Sequence, residues 1–134
     1  MVDASVLANA IGDDGADGRR TRQELRAADG LAAPDLVDVE TVAVLRKRWL
    51  AGSLSDERFA AAIKDLQELD LDRYPALPLI GRAYELRANV TPYDATYVAL
   101  AEMLGCELLT ADRRLASAPG IRSPVRLADQ ADAD

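Results

Sequence analysis

The chain has 134 residues, 49% of them hydrophobic, a net charge of −7 and no histidine. That length predicts one domain, 1–134, with enough apolar side chains for a real core. The charge excludes a protein that grips nucleic acid through its overall field, leaving only a local basic groove, and the missing histidine removes Ser-His-Asp hydrolysis, histidine-based nucleases and histidine-containing zinc sites together. A single cysteine, Cys106, cannot form an intrachain disulfide and reads as a small core residue in a reducing compartment. The start of the chain has no basic run before a long apolar stretch, and no segment approaches membrane-spanning length, so a cytoplasmic protein without membrane contact is expected.

Taken in order, Met1 to Ala4 predicts a very short first strand, followed at once by a helical turn through Val6, Leu7 and Ile11, with Asp3 at the junction. Gly12 to Gly18 reads as a polar loop. Arg19 to Ala28 then predicts a helix with Arg19, Arg22 and Arg26 on one face, which is either solvated or meets phosphate. A second strand falls within Gly30 to Pro34, and the helix of LVDVETVAVLRKRWL follows. In it Val37, Glu40 and Val44 share a face, so Glu40 interrupts an apolar stripe and needs a partner or an ion. The plain alternative is a rim position, with Glu40 turned to water or paired with Lys47.

Ser55 caps the next helix, whose buried stripe is Phe59, Ile63 and Leu66, and Leu69 to Tyr74 supplies another strand. Pro75 and Pro78 frame a helix through Ile80, Tyr84 and Leu86. Thr91 and Pro92 then open a helix that ends near Gly105 and carries Asp94 at its third position, ahead of Tyr97, Val98 and Ala101 on the inward face. Cys106 to Thr110 reads as a buried strand emptying into Asp112. A short helix through Leu115 stops at Pro119 and Gly120, Val125 to Ala128 predicts a last strand, and the acidic tail DQADAD is expected to fray. Helices alternating with short apolar runs predict an α/β fold with a short, mainly parallel sheet flanked by helices.

Asp3, Asp94 and Asp112 each sit where a strand or loop hands over to a helix. Singly, each is explained as a cap, and Asp94 completes a capping pattern with Thr91. A parallel sheet, however, gathers such junctions along one edge, where Glu40 must also be satisfied. Crowded carboxylates raise one another's pKa unless a cation is present, and oxygen-only donors point to a hard ion, Mg²⁺ or Mn²⁺. Such an ion makes bound water acidic enough to attack a phosphodiester.

The pattern resembles the PIN-domain family, and within it the VapC-type toxins of bacterial toxin-antitoxin pairs. The resemblance is carried by VDASVL at residues 2 to 7, by the glutamate in PDLVDVETVAVL at residues 34 to 45, and by YDATYVALAEMLGCELLTAD at residues 93 to 112. It implies that Asp3, Glu40, Asp94 and Asp112 are the four acids that hold Mg²⁺ or Mn²⁺, with Thr110 as a supporting hydroxyl. It further implies an endoribonuclease, a homodimer, and a cognate VapB-type antitoxin as inhibitor. Beside it, Arg19, Arg22, Arg26, Arg113 and Arg114 become candidates for RNA phosphate contacts.

Two other classes stay open. One is a catalytically silent PIN-like binding module acting through RNA or a protein partner. The other is phosphoryl transfer through an aspartyl phosphate. Ser5 stands where one such fold needs a second acid, and the only lysines, Lys47 and Lys64, lie on helices where the other needs one after a late strand.

Overall fold

The computed structural model describes residues 1–128; the tail whose fraying was expected lies outside them. Four three-residue strands and seven α-helices make up the described chain. β1 (Ala32–Pro34) pairs with β2 (Asp72–Tyr74), and β3 (Leu108–Thr110) with β4 (Val125–Leu127), both in parallel register. Residues 1–3 join the two ladders. Val2 bridges Leu109, and its amide donates to the Ala32 carbonyl at 3.1 Å, while the Leu109 amide reaches the Met1 carbonyl at 2.9 Å. The spatial order is therefore β2, β1, residues 1–3, β3, β4, with helical crossovers, as parallel strands require.

The expected first strand, Met1 to Ala4, shrinks to that bridge because Asp3 is already a helix cap. Its side chain accepts from the Val6 amide at 3.1 Å and opens α1 (Ala4–Gly12). The helix α2 (Ala16–Ala27) starts earlier than the sequence suggests, and the polar loop is only Asp13 to Gly15. Two features allow this. The Gly15 amide donates to Asp13 Oδ1 at 2.7 Å, and Gly18 lacks the Cβ that would stand 1.8 Å from the Asp13 carbonyl oxygen. α3 (Val37–Leu50) and α4 (Asp56–Glu68) follow, the latter capped by Ser55, whose hydroxyl accepts from the Arg58 amide.

A 3₁₀ turn at Leu77–Leu79 runs into α5 (Ile80–Glu85). α6 (Pro92–Leu104) has Thr91 as its cap, proline in its first turn, and Gly105 at φ 65° as its left-handed stop, a conformation that glycine adopts without steric cost. α7 (Arg113–Ala116) is capped by Asp112. The core gathers Val2, Val6, Leu7, Val37, Leu45 and Val98 around α1 and α6.

The C-terminal end of α1 is held by three guanidinium groups from three helices. Arg22 donates to the carbonyls of Ala10 (3.0 Å) and Asp13 (2.8 Å), Arg48 to the Ala8 carbonyl (3.4 Å) and to Asn9 Oδ1 (2.6 Å), and Arg58 to the Ile11 carbonyl (2.6 Å) and Asp14 Oδ2 (2.9 Å). These cations satisfy carbonyls that a helix end leaves open. No helix among the described residues is long and apolar enough to cross a membrane.

Candidate active site

The acids of the sequence pattern arrive from four places. Asp3 caps α1, Glu40 lies in the first turn of α3, Asp94 in the first turn of α6, and Asp112 caps α7 at the exit of β3. Two of these are set by local chemistry, since Asp3 accepts the Val6 amide and Asp112 the Arg114 amide at the positive end of a helix dipole. The sheet then decides that they share one edge. Residues 1–3 lie beside β3, which brings Asp3 next to the strand that ends in Thr110 and leads to Asp112.

Asp3 is the most enclosed of the four, at 6% exposure. Its Oδ1 accepts from the Ser5 hydroxyl at 2.6 Å, and its Oδ2 accepts from the buried Thr110 hydroxyl. Thr110 in turn receives the Asp112 amide at 3.0 Å. Burial pushes the Asp3 carboxyl above its ordinary value; the hydrogen bonds of Ser5, Thr110 and Val6 oppose this, and the Asp112 charge reinforces it. Glu40 and Asp94 are both half-buried and both raised, again by burial first. At Glu40 the Tyr97 hydrogen bond opposes this rise and the charges of Asp94 and Asp3 add to it; at Asp94 the charges of Asp3 and Asp112 add to it, with Thr91 and Arg114 opposing.

The four carboxylates thus sit within electrostatic reach of one another, with Arg114 as the cation that tempers Asp94. Such a set is costly without a counter-ion. Among the described residues no group of three or more acids, histidines or cysteines closes into a ready ligand cage. The donor chemistry nevertheless fits Mg²⁺ or Mn²⁺, because a small hard ion keeps several waters and takes only one or two carboxylates directly. Asn89, Thr91, Asp94, Asp112 and Arg114 line a cavity of about 180 Å³ beside the cluster. A larger concavity of about 910 Å³ opens at the other end of α1, around Arg48, Arg58, Asp13 and Asp14, away from the acids.

Two residues that the sequence reading left without a role stand in the site. Ser5 holds Asp3 and also accepts the Ala111 amide at 3.3 Å, tying the two edges of the site together. Its position two residues after Asp3 was the available signal. Tyr97 is buried, and its hydroxyl donates to Glu40 Oε1 at 2.9 Å; burial and the surrounding acids push its own pKa far upward, so it stays a donor. Glu40 therefore faces Tyr97 and the other acids, in place of the rim pairing with Lys47. Tyr97 stands one turn after Asp94 on the same helical face, which periodicity marks only as apolar.

The basic candidates divide. Arg113 and Arg114 open α7 directly after Asp112, and the Arg114 side chain is 96% exposed with Nε 3.8 Å from Asp112 Oδ1. Arg22 is committed to the far end of α1. Arg19 is exposed and donates to the Asp14 carbonyl at 3.1 Å, while Arg26 is exposed in the last turn of α2.

Comparison with known proteins gives a consistent picture. The PIN domain family model matches residues 1–121. The chain is 41% identical over 128 residues to Ribonuclease VapC1 of Mycobacterium tuberculosis, covering 95% of this chain and 96% of that one. In fold it is similar to the crystal structure of VapC20 of M. tuberculosis, a Sarcin-Ricin loop cleaving toxin, with a TM-score of 0.67 at 17% identity over 85% of this chain and 90% of the other. It is also similar to a toxin-antitoxin complex from Klebsiella pneumoniae, with a TM-score of 0.61 at 20% identity, covering 96% and 97% of the two chains.

Proposed function

The chain belongs to the PIN-domain family as a VapC-type ribonuclease, and from that premise we propose that it is a Mg²⁺- or Mn²⁺-dependent endoribonuclease toxin that cuts RNA at internal phosphodiesters. One observation carries the reading. Asp3, Glu40 and Asp94 are each held above their ordinary pKa by burial and by neighbouring acids, an arrangement that loses stability unless a cation joins it.

Asp3, Glu40, Asp94 and Asp112 would hold the ion. When bound, it supplies a Lewis acid for the phosphoryl oxygens and water acidic enough to act as nucleophile near neutral pH. The protein's own part is orientation. Ser5 and Thr110 fix both oxygens of Asp3, so that carboxylate cannot turn away when its neighbours repel it. The Thr91 hydroxyl accepts the Asp94 amide at 3.2 Å and anchors the first turn of α6. Arg114, exposed beside Asp112, would meet an RNA phosphate arriving at the cavity edge.

Its partners in this reading are RNA, a second copy of the chain and a VapB-type antitoxin, all in the cytoplasm. The antitoxin assignment draws support from the fold likeness to a toxin-antitoxin complex. The test is cleavage of total cellular RNA by the purified, antitoxin-free protein, with Mg²⁺ or with EDTA, beside an Asp94→Asn variant. Discrete fragments that need both the ion and Asp94 are expected. Intact RNA in every lane, from folded protein, would replace this reading with the silent binding module.

A further inference from the structure

Tyr97 is where the apolar core and the acidic cluster meet. The residue is 1% exposed and packed within the main core, yet its hydroxyl leaves that core and donates to Glu40 Oε1 at 2.9 Å, across 57 positions of sequence. Asp94 stands one turn earlier on the same face of α6, so a single stretch of helix supplies one acid and grips another. Glu40 needs such a grip. It projects from α3 through a flexible side chain, is half-buried, and is repelled by Asp3 and Asp94; left alone, its carboxylate would turn outward to water. Among the described residues Tyr97 is the side chain that donates to it.

We propose that Tyr97 is a positioning residue, whose hydroxyl keeps the Glu40 carboxylate turned into the acidic cluster with its second oxygen free for a divalent cation. The inference rests on the reading of Glu40 as a metal ligand. Carboxylates that bind metals are themselves commonly hydrogen-bonded, and removing that outer partner weakens the metal roughly 10- to 100-fold. A merely structural bond behaves differently. In Tyr97→Phe both the hydroxyl and its need for a partner disappear, Glu40 is free to hydrate, and nothing is left orphaned in the core.

The experiment is a titration of the purified full chain with Mn²⁺ alone, followed by the loss of the free-ion paramagnetic resonance signal, for the wild type, Tyr97→Phe, Glu40→Gln and the double variant. Thermal melts serve as the check on folding. Tyr97→Phe is expected to weaken Mn²⁺ binding about tenfold, and the double variant to bind no more weakly than Glu40→Gln, because the hydroxyl acts only through that carboxylate. Wild-type affinity in Tyr97→Phe beside a weakened Glu40→Gln overturns the inference and leaves the metal reading standing. Wild-type affinity in Glu40→Gln removes Glu40 from the metal site and the inference with it. If Tyr97→Phe melts too low to titrate, Glu40→Asp draws the carboxylate back from an intact Tyr97; it is expected to match Glu40→Gln, and full-strength binding there overturns the proposal.

Discussion

At its N-terminal end α1 is capped by Asp3, a buried acid that faces three more carboxylates, whereas at its C-terminal end Arg22, Arg48 and Arg58 converge on four backbone carbonyls and find Asn9 and Asp14 as further partners. Both ends obey the helix dipole, with an anion at the start and cations at the finish. They differ in compensation. The arginine end satisfies groups that would otherwise be orphaned and so stabilises the fold. The acid end gathers charges of one sign and destabilises it, and a protein tolerates such a place where function requires it.

The sharpest way to break this contrast is Asp3→Asn. The amide keeps an oxygen for the Val6 amide but removes a charge, and RNA cleavage should fall by about 10²–10³-fold, as when one preorganised electrostatic group is lost. Stability should move the other way. The folded pKa of Asp3 lies above its ordinary value, so its contribution is fully present below the unfolded pKa and is lost as pH rises through the raised value. The variant should therefore melt higher than the wild type at pH 7 and alongside it near pH 3. Calorimetry across that range checks the sign, and a variant less stable at pH 7 would mean that the acid end is not under strain.

Arg58→Ala is the counterpart at the other pole. It orphans the Ile11 carbonyl, which should cost about 1–3 kcal/mol in urea unfolding, while Mn²⁺ affinity stays as in the wild type. A loss of metal binding equal to the loss of stability would show that the two ends of α1 are coupled.

The acid end was far easier to see in the sequence than the arginine end. Asp94 and Asp112 announce themselves because helix caps follow local rules, and Thr91, Pro92 and Gly105 delimit α6 closely. The alternation of helices and short apolar runs was enough for a parallel α/β fold. What stayed hidden depends on contacts between distant residues. Arg48 and Arg58 look like ordinary charges on helices until α1 is packed against them. Tyr97 reads as one more apolar position until its hydroxyl meets Glu40. The early start of α2 turns on the close approach at Gly18, which no local propensity encodes. Strand β1 falls within its expected bounds, whereas those expected over Leu69 to Tyr74, Cys106 to Thr110 and Val125 to Ala128 shrink to three residues each.

Smaller effects refine the comparison. Thr91→Ala removes the α6 cap and should cost about 1 kcal/mol. Because Thr91 also opposes the rise of the Asp94 pKa, the variant should weaken Mn²⁺ binding as well, and a stability loss without that weakening would reduce Thr91 to a cap. Smallest of all, charge reversal at Arg19 and Arg26 tests whether the solvated face of α2 touches RNA. If these residues contact phosphate, their reversal lowers the salt dependence of RNA binding by about one unit of slope per residue; an unchanged slope returns that face to plain surface.

The seat of residues 1–3 between β1 and β3 also has a consequence for the order in which the protein is made. Thr110, the hydroxyl that fixes one oxygen of Asp3, lies 107 positions downstream of it, and the Leu109 backbone that flanks it is almost as distant. The contacts that tie Asp3 and Ser5 to Thr110 and Ala111 span more than 100 positions, the kind of closure that forms late in folding. During synthesis, therefore, Asp3 stays without its Thr110 partner until β3 has left the ribosome, and the acidic cluster is assembled only after that.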